Sequence, residues 1–204
     1  MKLAIIGATG NVGQRLVKEA TSRGHQVTAI SHNAEKLKDL DGVATVQCEL
    51  GDEAKLAEAL KGADAVILSV RFQDNDIKPA FEATRKAGVS RIAVVGGAAS
   101  LFNADGVRLI DQPGFPDFIK VEAGPAAASL DWIKAEVKDL DWVFISPSMM
   151  LGPGERTGKF RLGKDHLLVA EDGNSSISYE DLAVALIDEL EKPAHHRERF
   201  TAGY

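Results

Sequence analysis

A single cysteine, Cys48, stands in a chain of 204 residues, so no disulfide can form within it, and this thiol usage predicts a reducing compartment, the cytoplasm. Positive charge is short as well. Lysine and arginine number 24 against 30 acids, a formal charge of −6, which gives no electrostatic reason to expect nucleic acid or an anionic membrane surface as a partner. A small molecule is the predicted partner. The longest uncharged stretches, Ile92 to Ala104 and Trp142 to Gly154, are broken by glycine or proline and fall short of the ~18 apolar residues of a membrane span. At the start, Met1-Lys2 runs straight into Leu3-Ala4-Ile5-Ile6 and then glycine, without the apolar stretch and small-residue cleavage site of a secretory signal. Internal repeats, low-complexity segments and linkers are absent too. With 45% hydrophobic residues the chain can bury one substantial core, which predicts a single domain over residues 1–204.

What is present is an alternation of short β-branched runs with longer stretches of helical period, the pattern of a parallel sheet with crossover helices. Leu3 to Ile6, Gln26 to Ser31, Ala44 to Cys48, Ala65 to Ser69, Ile92 to Val95 and Trp142 to Ile145 read as six strands. Between the first two, Val12, Leu16 and Ala20 recur on one helical face and Arg23-Gly24 supplies a stop. Further helices are expected at Glu53 to Lys61, Asp76 to Ala87 and, after Gly124-Pro125, Ala126 to Asp139. Ser178 with Asp181 three residues on opens another, with Leu182, Leu186 and Leu190 as its buried stripe. Arg199 to Gly203 is expected as a last edge strand. Two irregular stretches, Ala98 to Gly124 and Pro147 to Asp165, are expected to line or cover a cleft.

Gly7, Gly10 and Gly13 follow the first strand and open the first helix, the context a bare glycine spacing needs before it carries meaning. The first permits a tight turn, the second lets backbone approach a pyrophosphate, and the third allows close helix–sheet packing, while the helix N-terminus attracts negative charge. The segment Gly7-Ala8-Thr9-Gly10-Asn11-Val12-Gly13 is therefore expected to hold a nicotinamide dinucleotide. The fold class that follows is α/β, a doubly wound Rossmann-type parallel sheet with helices on both faces and a small C-terminal extension on the substrate side. Acid is missing at the end of the second strand, where NAD-selective domains bond the ribose 2′-hydroxyl. Ser31, His32 and Asn33 stand there instead, with Lys36 nearby to attract a 2′-phosphate, so NADP is favoured, with NAD as the alternative.

The spacing GxxGxxG resembles the extended and atypical short-chain dehydrogenase/reductases. The stretches GATGNVG, GHQVTAISHNAEKL, DAVILSV, RIAVVGG, PGERTGKFRLG and ISYEDLAVALIDELE together resemble the NAD(P)H-flavin reductase family, related to biliverdin reductase B and NmrA-like proteins. That resemblance runs nearly end to end, and PGERTGKFRLG followed by ISYEDLA is its most specific part. It implies that Glu49 and Leu50 lie beside the adenine ring, that Ser69 and Val70 run along the cofactor, and that Pro147 lines the nicotinamide pocket. Gly96-Gly97-Ala98 stand after the fifth strand, where carbonyl reductases often place Ser or Thr, and Gly96 and Gly97 join the expected cofactor contacts.

Short-chain reductases of carbonyls use a Tyr-x-x-x-Lys pair, in which lysine lowers the phenol pKa for proton delivery. No such pair occurs here; the two tyrosines are Tyr179 and Tyr204, and relatives' Tyr-Lys dipeptide reads Ile119-Lys120. Hydride transfer to a flavin or quinone makes a delocalised anion that collects its proton from water, so alignment alone can suffice. The expected activity is an NAD(P)H-dependent reductase acting on a flavin (FMN or FAD), a quinone or a similar planar acceptor; the alternative is a non-catalytic NADP(H)-binding redox sensor. Lys120 and Ser100 are the catalytic candidates, and Arg156 and Lys159 candidates for anion contacts. His195-His196 lack a third ligand, so no metal is expected, and no nucleophile elbow supports hydrolysis. A monomer or homodimer is expected.

Overall fold

The computed structural model describes residues 1–38 and 43–204. The apolar runs become β1 (Lys2–Ile6), β2 (Gln26–Ser31), β3 (Ala44–Gln47), β4 (Ala65–Leu68), β5 (Arg91–Val95) and β6 (Asp141–Pro147). The helices between them are α1 (Asn11–Ser22), α2 (Ala34–Leu37), α3 (Glu53–Leu60), α4 (Lys78–Lys86) and α5 (Asp117–Glu136). Beyond them come β7 (Met150–Gly152), β8 (Arg161–Gly163), β9 (Ser176–Ser178), α6 (Tyr179–Glu191) and β10 (Glu198–Gly203). The main sheet has the order β3-β2-β1-β4-β5-β6-β10-β8, parallel throughout except for β8, while β7 and β9 form a parallel pair of their own. This is the expected Rossmann-like α/β fold. Among the described residues no helix is long and apolar enough to cross a membrane.

Because helices cover both faces, the strands are apolar on both sides rather than alternating. Leu3 and Ile5 of β1, with Val143, Ile145 and Phe200, pack beneath Leu16 and Ala20 of α1 and Leu182, Leu186 and Leu190 of α6. On the other face Ala4, Ile6, Val66, Leu68 and Phe144 pack beneath Leu56 and Leu60 of α3, Phe81 of α4, and Leu130 and Ile133 of α5. The sequence order reverses between β1 and β4, which opens a crevice at their C-terminal ends, the place where such sheets take ligands.

Two expectations are corrected here. Residues 199–203 do not form an edge: β10 lies between β6 and the antiparallel β8, and Phe200 and Ala202 are buried. Helix α5 starts at Asp117 and runs through Gly124-Pro125. Proline costs the helix one hydrogen bond but its fixed φ is helical, and residues 117–122 are exposed, so no packing against the core is disturbed. Of the first irregular stretch, residues 98–116 hold two short 3-10 turns, Ala98–Ser100 and Leu109–Asp111, and a bridge from Phe102 to Arg108.

The capping motif at Ser178 explains why two separated sequence stretches belong together. The Asp181 backbone N–H donates to Ser178 Oγ at 2.9 Å, and Ser178 Oγ donates to the Glu155 carbonyl at 2.9 Å. The buried Asp181 carboxylate accepts from the Gly158 N–H at 2.8 Å, the Thr157 hydroxyl at 2.5 Å and the Tyr204 phenol at 2.8 Å. Burial raises the Tyr204 phenol above its ordinary range. Arg156 makes two 2.7 Å bonds to Glu19 of α1, and its guanidinium holds that carboxylate below the usual range. Segment 153–159 is thus stapled to α1 and α6 at once. Replacing Asp181 by Ala strands the Gly158 N–H and leaves the Thr157 and Tyr204 hydroxyls with their remaining partners, the Lys159 carbonyl and Ser178 Oγ, so unfolding in urea should show a loss of about 1–3 kcal/mol. A loss under about 1 kcal/mol would mean that other contacts hold the segment.

Candidate functional site

The crevice is lined by two adjoining cavities of about 760 and 420 Å³ that share Thr9, Gly10, Lys36, Ser69, Val70 and Arg71 in their walls. The glycine turn forms their floor. Gly7 has φ +80°, and a Cβ there would lie 2.0 Å from the Ser69 carbonyl oxygen; a Cβ on Gly13 would lie 2.1 Å from the Gly7 oxygen. Both glycines are demanded by the packing of backbone on backbone. Gly10 differs, since a Cβ there would meet only the Gly7 oxygen at 3.3 Å, and its open side faces both cavities. No side chain caps α1 and no acid stands in its first turn, so the positive end of the helix is left facing the crevice. These features fit the pyrophosphate of a dinucleotide.

The smaller cavity is bordered by Ser31, His32, Asn33, Lys36, Cys48, Glu49 and Leu50. Ser31 Oγ lies 2.7 Å from Thr9 Oγ1 and accepts from the Asn33 N–H at 3.1 Å, so its hydroxyl is committed within the protein. Asn33 accepts from the Lys36 N–H and caps α2. Among the described residues lining this cavity, the side chains of His32, Lys36 and Glu49 are exposed. Burial raises the Cys48 thiol above its ordinary range.

The larger cavity reaches from Asn11 and Val12 past Ser69 and Val70 to Gly96, Gly97 and Pro147. Its far walls come from Phe72, Ala98, Ala99, Met149 and Leu151, and from a stripe of α5 at Ile119, Glu122, Ala123 and Ala126. The spacing of that stripe is i, i+3, i+4, i+7, one helical face. Tyr179, the first residue of α6, also borders it, with the Arg15 guanidinium 5.5 Å over its ring. Arg71 Nε stands 3.7 Å from both Glu122 and Asp74 carboxylates. Gly96 is another demanded glycine: a Cβ there would come within 1.9 Å of the Phe144 ring.

Four candidates lie elsewhere. Lys120 falls off the cavity-facing stripe of α5 and pairs with Asp117 at 3.0 Å. Ser100 is buried, and its hydroxyl accepts from Arg199 Nη1 at 3.1 Å, away from the cavity. Arg156 is spent on Glu19, and the Lys159 backbone N–H donates to Thr157 Oγ1 inside the same stapled segment; neither borders either cavity. Of stretch 98–124 the cleft takes Ala98 and Ala99 and, from α5, Ile119, Glu122 and Ala123, and of stretch 147–165 it takes Pro147, Ser148, Met149 and Leu151. Reading Gly124-Pro125 as a boundary hid Ile119 and Glu122, whose spacing to Ala123 and Ala126 was the available signal. Arg71 and Phe72 follow Ser69-Val70 directly at the strand end facing the crevice. Among the described residues no group of three or more ligating side chains gathers as a metal site.

The model of the NAD(P)H-binding family matches residues 7–193. The uncharacterised YwnB protein of Bacillus subtilis is 39% identical, over 98% of this chain and 97% of its own length. A crystal structure from Bacteroides thetaiotaomicron, provisionally named an epimerase, is 44% identical with a TM-score of 0.91, covering 100% of this chain and 96% of that one. Another from Streptococcus pneumoniae, provisionally named an NADH-flavin reductase, is 35% identical with a TM-score of 0.87, covering 100% and 99%.

The three glycines of the turn should separate cleanly in stability. Gly7→Ala and Gly13→Ala each force backbone apart and should cost at least about 3 kcal/mol, whereas Gly10→Ala should stay within about 1 kcal/mol of the parent. Thermal and urea denaturation measure all three, and equal losses would show that Gly10 is also a packing glycine.

Proposed function

Because the chain belongs to the NAD(P)H-binding family, we propose that it is an NAD(P)H-dependent reductase that passes hydride to a planar acceptor, a flavin or a quinone, and that NADPH is its preferred donor. The observation that carries this reading is the continuity of the cleft: the uncapped N-terminus of α1 and the glycine turn lead past Val70 into a chamber whose walls include the apolar side chains of Phe72, Ala98, Ala99, Ile119, Ala126 and Met149 beside Ser148 and Tyr179. A 35% identical structure provisionally named an NADH-flavin reductase supports it. Bound NADPH would supply two electrons and one hydrogen nucleus as hydride, and the acceptor's second hydrogen would come from water.

Each part of the chain then has a task. The backbone of Gly10 to Val12 holds the pyrophosphate against the helix end. Ser69, Val70, Gly96, Gly97 and Pro147 set the plane in which a nicotinamide lies along the strand ends. Leu50 and Glu49 flank an adenine, and His32 and Lys36 face the 2′-position, where the missing acid leaves room for a phosphate. The apolar walls hold the acceptor parallel to the donor and exclude bulk water from one face, which supplies the distance and alignment that hydride transfer requires. Tyr179 has no lysine in the positions of a tyrosine–lysine pair, and the chemistry proposed here does not use it as an acid.

Gly10→Val, confirmed folded by circular dichroism, should lose NADPH binding in calorimetry, and undiminished affinity would remove the site. Lys36→Ala should weaken NADPH about tenfold while changing NADH little, as expected for one charge–phosphate contact near the surface. Equal losses for both would mean that Lys36 does not read the 2′-phosphate. Tyr179→Phe should leave riboflavin and menadione reduction within about threefold of the parent, whereas a fall of about a hundredfold or more would make Tyr179 a proton donor and overturn the donor-free mechanism. Oxidation of bound NADPH by none of these acceptors would favour the redox-sensor reading.

A further inference from the structure

The glycine turn and the turn after β2 meet through a pair of buried hydroxyls. Ser31, the last residue of β2, and Thr9, within the glycine turn, are 4% and 8% exposed, and their hydroxyl oxygens lie 2.7 Å apart. Thr9 borders both cavities and Ser31 borders the smaller one. The backbone around them is held by bonds that do not involve these side chains. The Gly7 and Ala8 N–H groups donate to the Ile30 carbonyl at 2.9 and 3.1 Å, Gln14 Nε2 donates to the Thr9 carbonyl at 3.0 Å, and the Cys48 N–H donates to the Ser31 carbonyl at 2.9 Å. To that frame the hydroxyl pair adds a choice of where hydrogens point.

Counting donors decides the choice. A hydroxyl has one hydrogen to give and two lone pairs to accept with. Ser31 Oγ accepts from the Asn33 N–H at 3.1 Å, and an amide N–H can only donate. Among the described residues, the acceptor within reach of the Ser31 hydrogen is then Thr9 Oγ1. The hydrogen of Thr9 is thereby left over, on a residue that stands where the two cavities join. Donation runs from the Asn33 N–H through Ser31 to Thr9, each bond polarising the next. At the other end Asn33 caps α2 by accepting from the Lys36 N–H at 3.2 Å, and Gln47 Nε2 donates to the His32 carbonyl at 3.2 Å.

Resting on the cofactor part of the reading above, we infer that Ser31 is a positioning residue for NADPH: it turns the Thr9 O–H outward as a donor to a pyrophosphate oxygen, and through Asn33 it holds His32 and Lys36 at the 2′-phosphate. Thr9 serves the part that NADPH and NADH share. The turn serves the part that only NADPH has. Ser31 acts through both and donates to neither phosphate itself, because its hydrogen is given to Thr9.

Calorimetric titration of the full chain with NADPH and with NADH tests both arms, with urea denaturation confirming that each variant is folded. Thr9→Val should weaken both dinucleotides by about tenfold, the loss of one donor to a charged oxygen. Ser31→Ala should weaken NADH by about threefold and NADPH by about tenfold or more, so the preference for NADPH falls by at least about threefold. In the double variant Thr9→Val/Ser31→Ala, NADH should bind as it does to Thr9→Val alone, since the serine reaches NADH only through Thr9, whereas NADPH should show the further loss from the turn. Ser31→Thr keeps the hydroxyl and should return the preference to within about twofold of the parent. Parent-like affinities in Ser31→Ala, a loss for NADPH no larger than for NADH, or losses that add for NADH in the double variant would each overturn the inference and leave the reductase standing. A parent protein that binds neither dinucleotide sinks the reductase reading and this inference with it.

Discussion

The contact between the Gly7 turn and the end of β4 is the constraint on which the rest depends. Gly7 sits so close to Ser69 that any side chain would enter the Ser69 carbonyl, and Gly13 sits equally close to Gly7. These contacts set where α1 begins relative to β1 and β4, and hence where its uncapped end points. Strand β4 ends beside that turn, so Ser69, Val70 and Arg71 border both cavities and join them into one crevice. A helix start displaced by the width of a methyl group would close the floor and tilt the helix off the sheet.

A second set of contacts holds the same helix from behind. Glu19, buried on α1, accepts from Arg23 and from Arg156, and Arg23 also reaches Asp188 and Glu191 on α6. Arg15 pairs with Glu180, which also accepts from the Gly154 N–H; Arg15 and that N–H outweigh burial and keep this carboxylate below its usual range. The Asp181 cluster fastens residues 157 and 158 to the start of α6. Bonded pairs of this kind are retained because removing one partner leaves the other charge partly buried and unmatched. Their effect on the site is indirect. They immobilise α1 and the segment after β7, so that Asn11, Val12, Leu151 and Tyr179 present a fixed wall to the larger cavity.

The crevice combines surfaces of different chemical character. Backbone amides and a helix end are suited to phosphate; Gly96, Gly97, Ala98 and Ala126 are small and apolar; Glu122 and Arg71 add exposed charge. The half of α5 before Pro125 contributes Glu122 while packing little against the core, so residues 117–122 are free to vary in side chain without cost to the sheet. The exposed start of this helix borders the cavity, while Leu130 and Ile133 further along it pack against the sheet.

Much of this was legible in the amino-acid sequence, because it rests on local rules. Strand alternation, the glycine turn, the Ser178 cap with its leucine stripe and the missing acid after β2 each lie within a short window, where backbone sterics and side-chain period decide the outcome. The family likeness of PGERTGKFRLG and ISYEDLA was visible too, but its cause was not: Asp181 joins residues 23 and 24 positions apart, and no periodicity encodes such a bond. Tertiary structure alone decided that β10 lies inside the sheet, because strand order is settled by which edges are free once the helices are packed. It decided equally that Lys120 and Ser100 leave the cleft while Glu122 and Arg71 border it. A helix that runs on through Gly124-Pro125 rotates each side chain by a fixed angle, and which face meets the cavity is set by how Ala126 and Leu130 bury against the sheet.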